Sequence, residues 1–148
     1  PRQSLFNPYT GVVSIFSMRI LNSLPPLVYE DGRQSRDFVY VGDVAEANLF
    51  VMENELANGQ VFNVGSGKAI TIEELARTLA LLYGKSVEPE IPERSRWGDV
   101  RHILLEPSKL RRLGFSASKE LREGLTHFVE WIKTQRVREE PKKGVVYG

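Results

Sequence analysis

The sequence contains no cysteine, which excludes disulfides and thiolate metal sites and fits a reducing compartment. Neither sign of charge is in excess. With 20 Lys and Arg against 19 Asp and Glu, no overall field draws in nucleic acid, and the local basic stretches at 109–112 and 142–143 read as solvated faces. Long apolar runs are lacking as well: the richest early segment, residues 11–24, is interrupted by Arg19 and Asn22 and is too short to cross a bilayer. No signal peptide, repeat or low-complexity linker is visible. The two histidines, His102 and His127, lie far apart and lack carboxylates at metal-ligand spacing, so they read as surface or packing residues. No Ser-His-Asp set or carboxylate pair can be assembled. What remains is a chain of 148 residues, one domain's worth, with no sign of nucleic-acid or membrane partners and a cytoplasmic location expected. It begins at Pro1 with no initiator Met, from which a missing upstream portion is expected.

Apolar period and end signals alternate between helix and strand. Val12, Val13, Ile15, Phe16 and Ile20 fall on one helical face that must stop before Pro25-Pro26. Residues 27–29 and 37–41 predict short strands joined through an Asp31-Gly32 turn. Asp43 and Glu46 have a capping-box-like spacing for a helix to about Asn54, and residues 60–64 predict a strand closed by Gly65-Ser66-Gly67. Thr71 and Glu74 form a standard capping box for a helix carrying Ile72, Leu75, Ala76, Leu79 and Leu82, with Gly84 as its stop. Residues 87–91 predict a strand and 108–113 a small helix. A last helix is expected over 118–135, with Leu121, Leu125, Phe128 and Ile132 on one stripe. The fold class is α/β, with short strands alternating with helices. Residues 1–136 form one lobe and 137–148 a charged, flexible tail.

Three stretches could carry chemistry. In "DGRQSRDFVYVGDV", Arg36 at the mouth of a strand is either a solvated charge or an anion clamp, since guanidinium presents a planar fork of donors suited to phosphate. "FNVGSG", residues 62–67, sits where a phosphate loop would, yet lacks the Gly-x-Gly-x-x-Gly spacing and the Lys-Ser/Thr of a P-loop, so a plain turn is the expectation. "RSRWGDVR", residues 94–101, gathers three arginines and Asp99 around a glycine with no clear period; it is either a ligand-presenting or a salt-bridged loop.

The ordered series "PRQS", "DGRQSRDFVYVGDVAEAN", "FNVGSG", "TIEELA" and "RWGD" resembles the carboxyl-terminal half of the extended short-chain dehydrogenase/reductase family, the NAD-dependent nucleotide-sugar epimerases and dehydratases. The resemblance covers residues 1–133, and "RDFVYVGDVA" followed by "RWGD" is its specific part. The opening "PRQSLFNPYTGV" is most similar to thymidine- or uridine-diphosphate-sugar 4-epimerases. The resemblance implies that Arg36 binds the diphosphate of a UDP- or dTDP-sugar, with Arg96 on the other side and Asp99 reaching toward the ribose. It implies a base pocket walled by Gly11, Val12, Leu27 and Tyr29, with Tyr29 placed to stack. Phe38 stands where relatives often carry Tyr.

The same family binds NAD on an amino-terminal Rossmann domain and moves the sugar hydroxyl proton with a Tyr-x-x-x-Lys pair. Tyr9, Tyr29, Tyr40, Tyr83 and Tyr147 have no Lys four residues later, so no catalytic or cofactor-binding residue is assigned to this chain. The expectation is the substrate-binding half of an NAD-dependent 4-epimerase, inactive by itself. A dehydratase or decarboxylase of the same family, or a free-standing non-catalytic nucleotide-binding module, is the alternative. Val39, Val41, Phe62 and Val64 are expected to lack neighbours without the other lobe, and a homodimer is left open.

Overall fold

The computed structural model describes residues 1–5, 11–92, 94 and 99–135. Helix α1 spans Val12–Leu21 and stops short of Pro25 and Pro26. Helix α2 spans Val41–Met52, helix α3 Ile72–Leu82, helix α4 Ser108–Leu113 and helix α5 Leu121–Thr134. Thr71 caps α3 as its sequence predicts, its hydroxyl oxygen accepting from the Glu74 amide at 3.1 Å. The helix is closed by Gly84 at φ 64°, a left-handed conformation that a side chain would disfavour.

Helix α3 packs against both α1 and α5. Its Leu75 and Leu79 are fully buried and meet Phe16 and Ile20 of α1, Val28, and Leu125 and Val129 of α5 in one cluster. Full burial of one such leucine contributes about 1.5–3 kcal/mol, so this stripe is the main source of cohesion. A second cluster joins Met18 to Phe128 and Ile132. Leu125, Phe128 and Ile132 are buried on the expected stripe of α5, with Leu121 half-buried beside them.

Beside the helices lies a three-stranded sheet in the order β2-β1-β3. Strand β1 is Ser35–Asp37, β2 is Ala69–Thr71 and β3 is His102–Ile103. β1 runs antiparallel to β2, with Arg36 opposite Ile70, and parallel to β3, with Arg36 opposite Ile103. Arg36 therefore sits at the centre of the central strand, its backbone fixed from both sides.

The strand expectations need correction in four places. The strand expected over 37–41 lies at Ser35–Asp37 instead, because the ladder partners on either side are only three and two residues long. Tyr40 is already the residue that precedes α2. Residues 60–64 form no strand, and residues 27–29 and 87–91 contribute a single parallel bridge, Leu27 to Glu90. A strand exists only where a second one pairs with it, a condition that β propensity does not test.

The cap expected at Asp43 needs correction as well. It does not cap its own helix: α2 starts at Val41, and no side chain caps it. The carboxylate is 3% exposed and faces the approach to α5, accepting from the Ser118 hydroxyl and the Lys119 amide at 3.0 Å each. Those bonds hold Ser118 and Lys119 outside α5, which begins at Leu121 instead of the expected 118.

Helix α2 buries only Asp43 and Ala47. Val41, Leu49 and Met52 are exposed along its outer side, and Val61 is exposed beyond it. Val39, Phe62 and Val64 are half-buried. The tail at 137–148 lies outside the described residues.

Candidate functional site

Arg36 lies in the middle of the sheet, and its guanidinium folds toward the segment that leads into β3. One terminal nitrogen donates to Asp99 Oδ1 at 2.7 Å. The other donates to two backbone oxygens, Ser35 at 2.9 Å and Arg101 at 3.2 Å. The Arg36 side chain is 20% exposed and that of Asp99 35%, so the pair sits in a partly enclosed notch where screening by water is incomplete. Of the residues expected around the diphosphate and ribose, the structure thus joins Arg36 and Asp99 to each other; Arg96 lies outside the described residues.

A second arginine shapes the rim. Arg101 donates to Glu30 at 2.9 Å and to Asp31 at 2.6 Å. The Arg101 bond, helped by the Arg33 amide, holds the Asp31 carboxyl at about 2, well below the usual carboxylate range. The Ser35 amide donates to the Arg101 carbonyl, and the Glu30 amide to that of Arg94. Turn and loop are thereby tied together on both sides of Arg36. Tyr29 belongs to this corner, its carbonyl accepting from the Gln34 side-chain amide at 2.9 Å, and its ring is half-buried, as is Leu27. Gly11 and Val12 open α1, where Val12 packs on the cluster that contains Val28.

The glycine stretch at 65–67 is turned inward. Asp37 Oδ1 accepts from the Ser66 amide at 3.0 Å and the Ser66 hydroxyl at 2.6 Å, while Oδ2 accepts from the Gly67 amide at 3.0 Å. A carboxylate of the protein's own thus holds the donors that a phosphate would need. A Cβ on Gly65 would come within 2.7 Å of Leu105 Cβ and 2.8 Å of Asp37 Oδ2, so this glycine is required by close approach. The loop is pinned from outside by α4. Arg111 donates to the Ser66 carbonyl, and the Lys109 ammonium donates to Gln60 and Val61 while lying 4.8 Å from the centre of the Phe62 ring. The basic run at 109–112, expected to be only solvated, thus fastens the segment beside it.

Both histidines serve local contacts. His102 Nδ1 shares a hydrogen bond with the Ser35 hydroxyl, and the His127 ring meets Tyr40 edge-on. Among the described residues there is no cluster suited to a metal and no helix long and apolar enough to cross a membrane. Sequence reasoning missed Asp37 and Asp43, because the partners of each lie far along the chain and no local pattern marks them.

Residues 3–65 match the NAD dependent epimerase/dehydratase family. A dTDP-L-rhamnose 4-epimerase of Burkholderia thailandensis is 38% identical over 133 residues, 89% of this chain and 36% of that protein. The crystal structure of UDP-glucose 4-epimerase with UDP-glucose from Thermotoga maritima is similar with a TM-score of 0.83 and 37% identity, covering 90% of this chain and 42% of the other. UDP-N-acetylglucosamine 4-epimerase from Methanobrevibacter ruminantium, in complex with UDP-N-acetylmuramic acid, matches with a TM-score of 0.83 and 34% identity over 91% and 43% of the two chains. The chain spans about two fifths of the length of these relatives. In sequence and in fold, it is similar over about nine tenths of its length to 4-epimerases, and over residues 3–65 to the NAD dependent epimerase/dehydratase family.

Proposed function

We propose that this chain is the substrate-binding part of an NAD-dependent nucleotide-sugar 4-epimerase acting on a UDP- or dTDP-hexose. In this reading Arg36 grips the diphosphate, and Arg96 approaches it from the other side. The observation that carries it is the setting of Arg36: a guanidinium on the central strand, ladder-fixed on both sides and aimed into a notch with a carboxylate partner. The 4-epimerase relatives, one of them solved with UDP-glucose, support the choice of ligand class. Asp99 faces the ribose and Tyr29 the base, with Leu27, Gly11 and Val12 completing that wall. NAD and the groups that move hydride and proton belong to the remaining part of the enzyme, so the chain alone turns over no sugar nucleotide.

Two cationic contacts on one diphosphate make physical sense, because charge-assisted bonds in a partly enclosed notch offset the loss of anion hydration. The test is titration calorimetry of uridine diphosphate into the chain. Arg36→Ala is expected to weaken binding about 10- to 100-fold, as loss of a charge-assisted bond requires. Arg36→Lys should recover only part, since an ammonium lacks the fork. Unchanged affinity in Arg36→Ala would return Arg36 to an ordinary strand-mouth charge.

A further inference from the structure

We infer that Asn58 is a site of spontaneous covalent modification: the backbone nitrogen of Gly59 closes on its side-chain amide, and water opens the resulting imide to an acid. A bond forms between the Gly59 nitrogen and Asn58 Cγ while the bond from Cγ to Nδ2 breaks, and ammonia leaves with the proton of the Gly59 amide. Water then adds at either ring carbonyl. The product is aspartate or, where the main chain is rerouted through the side chain, isoaspartate. Water is the only co-reactant.

The geometry at this pair favours the reaction. Asn58 and Gly59 follow the short 3₁₀ turn Glu55–Ala57 behind α2. With Asn58 at φ −59° and ψ 129° and Gly59 at φ 67°, they are the central residues of a type II turn, closed by the Gln60 amide donating to the Ala57 carbonyl at 3.0 Å. Among the described residues, neither the Gly59 N–H nor the Asn58 side chain has a hydrogen-bond partner. Both residues are exposed, and a Cβ on Gly59 would meet no described atom within 4 Å. The central peptide of such a turn can rotate toward its type I orientation while the flanking residues stay in place. That rotation sweeps the Gly59 nitrogen past Asn58 Cγ, and glycine has no side chain to obstruct the approach.

The other asparagines among the described residues are held. The amides of Asn22, Asn48 and Asn63 donate to the carbonyls of Met18, Val44 and Glu106, and Asn54 Oδ1 accepts from the Leu56 amide. None of them is followed by glycine, and Asn48 is inside α2. An isoaspartyl link at 58 would insert a methylene just ahead of Gln60 and Val61, the residues that hold the Lys109 ammonium of α4.

The test is to incubate the 148-residue chain in neutral buffer well below its Tm and to follow, by peptide mapping with fragmentation, the mass gain of amide turning into acid. Asn58 should convert at least about tenfold faster than Asn22, Asn48, Asn54 or Asn63, equivalent to a barrier lower by ~1.4 kcal/mol, and both aspartyl and isoaspartyl forms should separate on chromatography. The same incubation in guanidinium isolates the contribution of the fold: folding should slow Asn58 by less than about tenfold. Greater protection than that means the turn withholds the nitrogen, and overturns the inference, as does a rate at Asn58 no faster than at the other four. Gly59→Ala should slow the reaction about tenfold or more, with circular dichroism confirming an unchanged fold. Asn58→Gln should abolish the mass gain at this turn, and its persistence at the wild-type rate would assign the reaction to Gln60 and refute the site.

Discussion

Replacing Asp37 by Ala tests whether one carboxylate organises the ground on which Arg36 stands. Asp37 ends β1 and accepts the Ser66 amide and hydroxyl on one oxygen and the Gly67 amide on the other. A weaker approach comes from the Leu105 amide at 3.4 Å. Ser66 is half-buried whereas Gly67 is exposed, so water can replace the carboxylate at Gly67 more readily than at Ser66. Counting the two Ser66 bonds at about 1.5 kcal/mol each, the low end for bonds to a charged group, Asp37→Ala should cost about 3 kcal/mol. For a domain of this size that corresponds to a Tm lowered by roughly 6–12 °C. Asp37→Asn should cost about half as much, because its oxygen can still serve Ser66 while its amide faces the Gly67 N–H donor to donor. The assays are thermal unfolding followed by circular dichroism and amide exchange at Ser66 and Gly67. A Tm within 1 °C of wild type for Asp37→Ala, with unchanged exchange at both amides, would refute the reasoning.

Two further outcomes are expected. Asp43→Ala leaves the amide of half-buried Lys119 and the hydroxyl of exposed Ser118 without their acceptor and should cost about 1–3 kcal/mol in urea unfolding, with the approach to α5 losing protection first. Asp31 should titrate near pH 2 because of Arg101. With its folded value depressed, its stabilising contribution is complete above the ordinary carboxylate range and is lost as pH falls through about 2. A carboxyl-carbon NMR titration should show that low midpoint in the wild type and a return toward the usual range in Arg101→Ala.

The helices were legible in the sequence because each carries its own boundary and burial information. Thr71 and Gly84 bracket α3, Pro25 limits α1, and the stripe Leu125, Phe128, Ile132 names the inner side of α5. The strands were not, because strand formation is decided by a partner elsewhere. Residues 60–64 have the composition of a strand and no ladder, whereas Ser35 and Arg36 have little strand propensity and the best-paired positions in the sheet. Asp43 misled for a related reason: three-residue spacing to Glu46 suggested a cap, while its real partners are 75 and 76 positions away. At the site, the type of residue at 36 and 99 was readable from the pattern. Their pairing with each other was not, because it depends on where the loop returns in space.

The sparse attachment of α2 has a consequence for how stability is distributed. Its inner contacts include the Asp43 bonds, the small side chain of Ala47, and Phe50 tilted against Phe115. That is far less apolar burial than α3 enjoys between α1 and α5. Such a helix opens at a lower free energy than the rest and does so as a unit, while the three-helix centre stays closed. The boundary between the two regimes falls in the three residues between Asp37 and Val41. Arg36 is on the firm side of that boundary, so fluctuations of α2 can come and go without displacing the guanidinium from its place in the ladder.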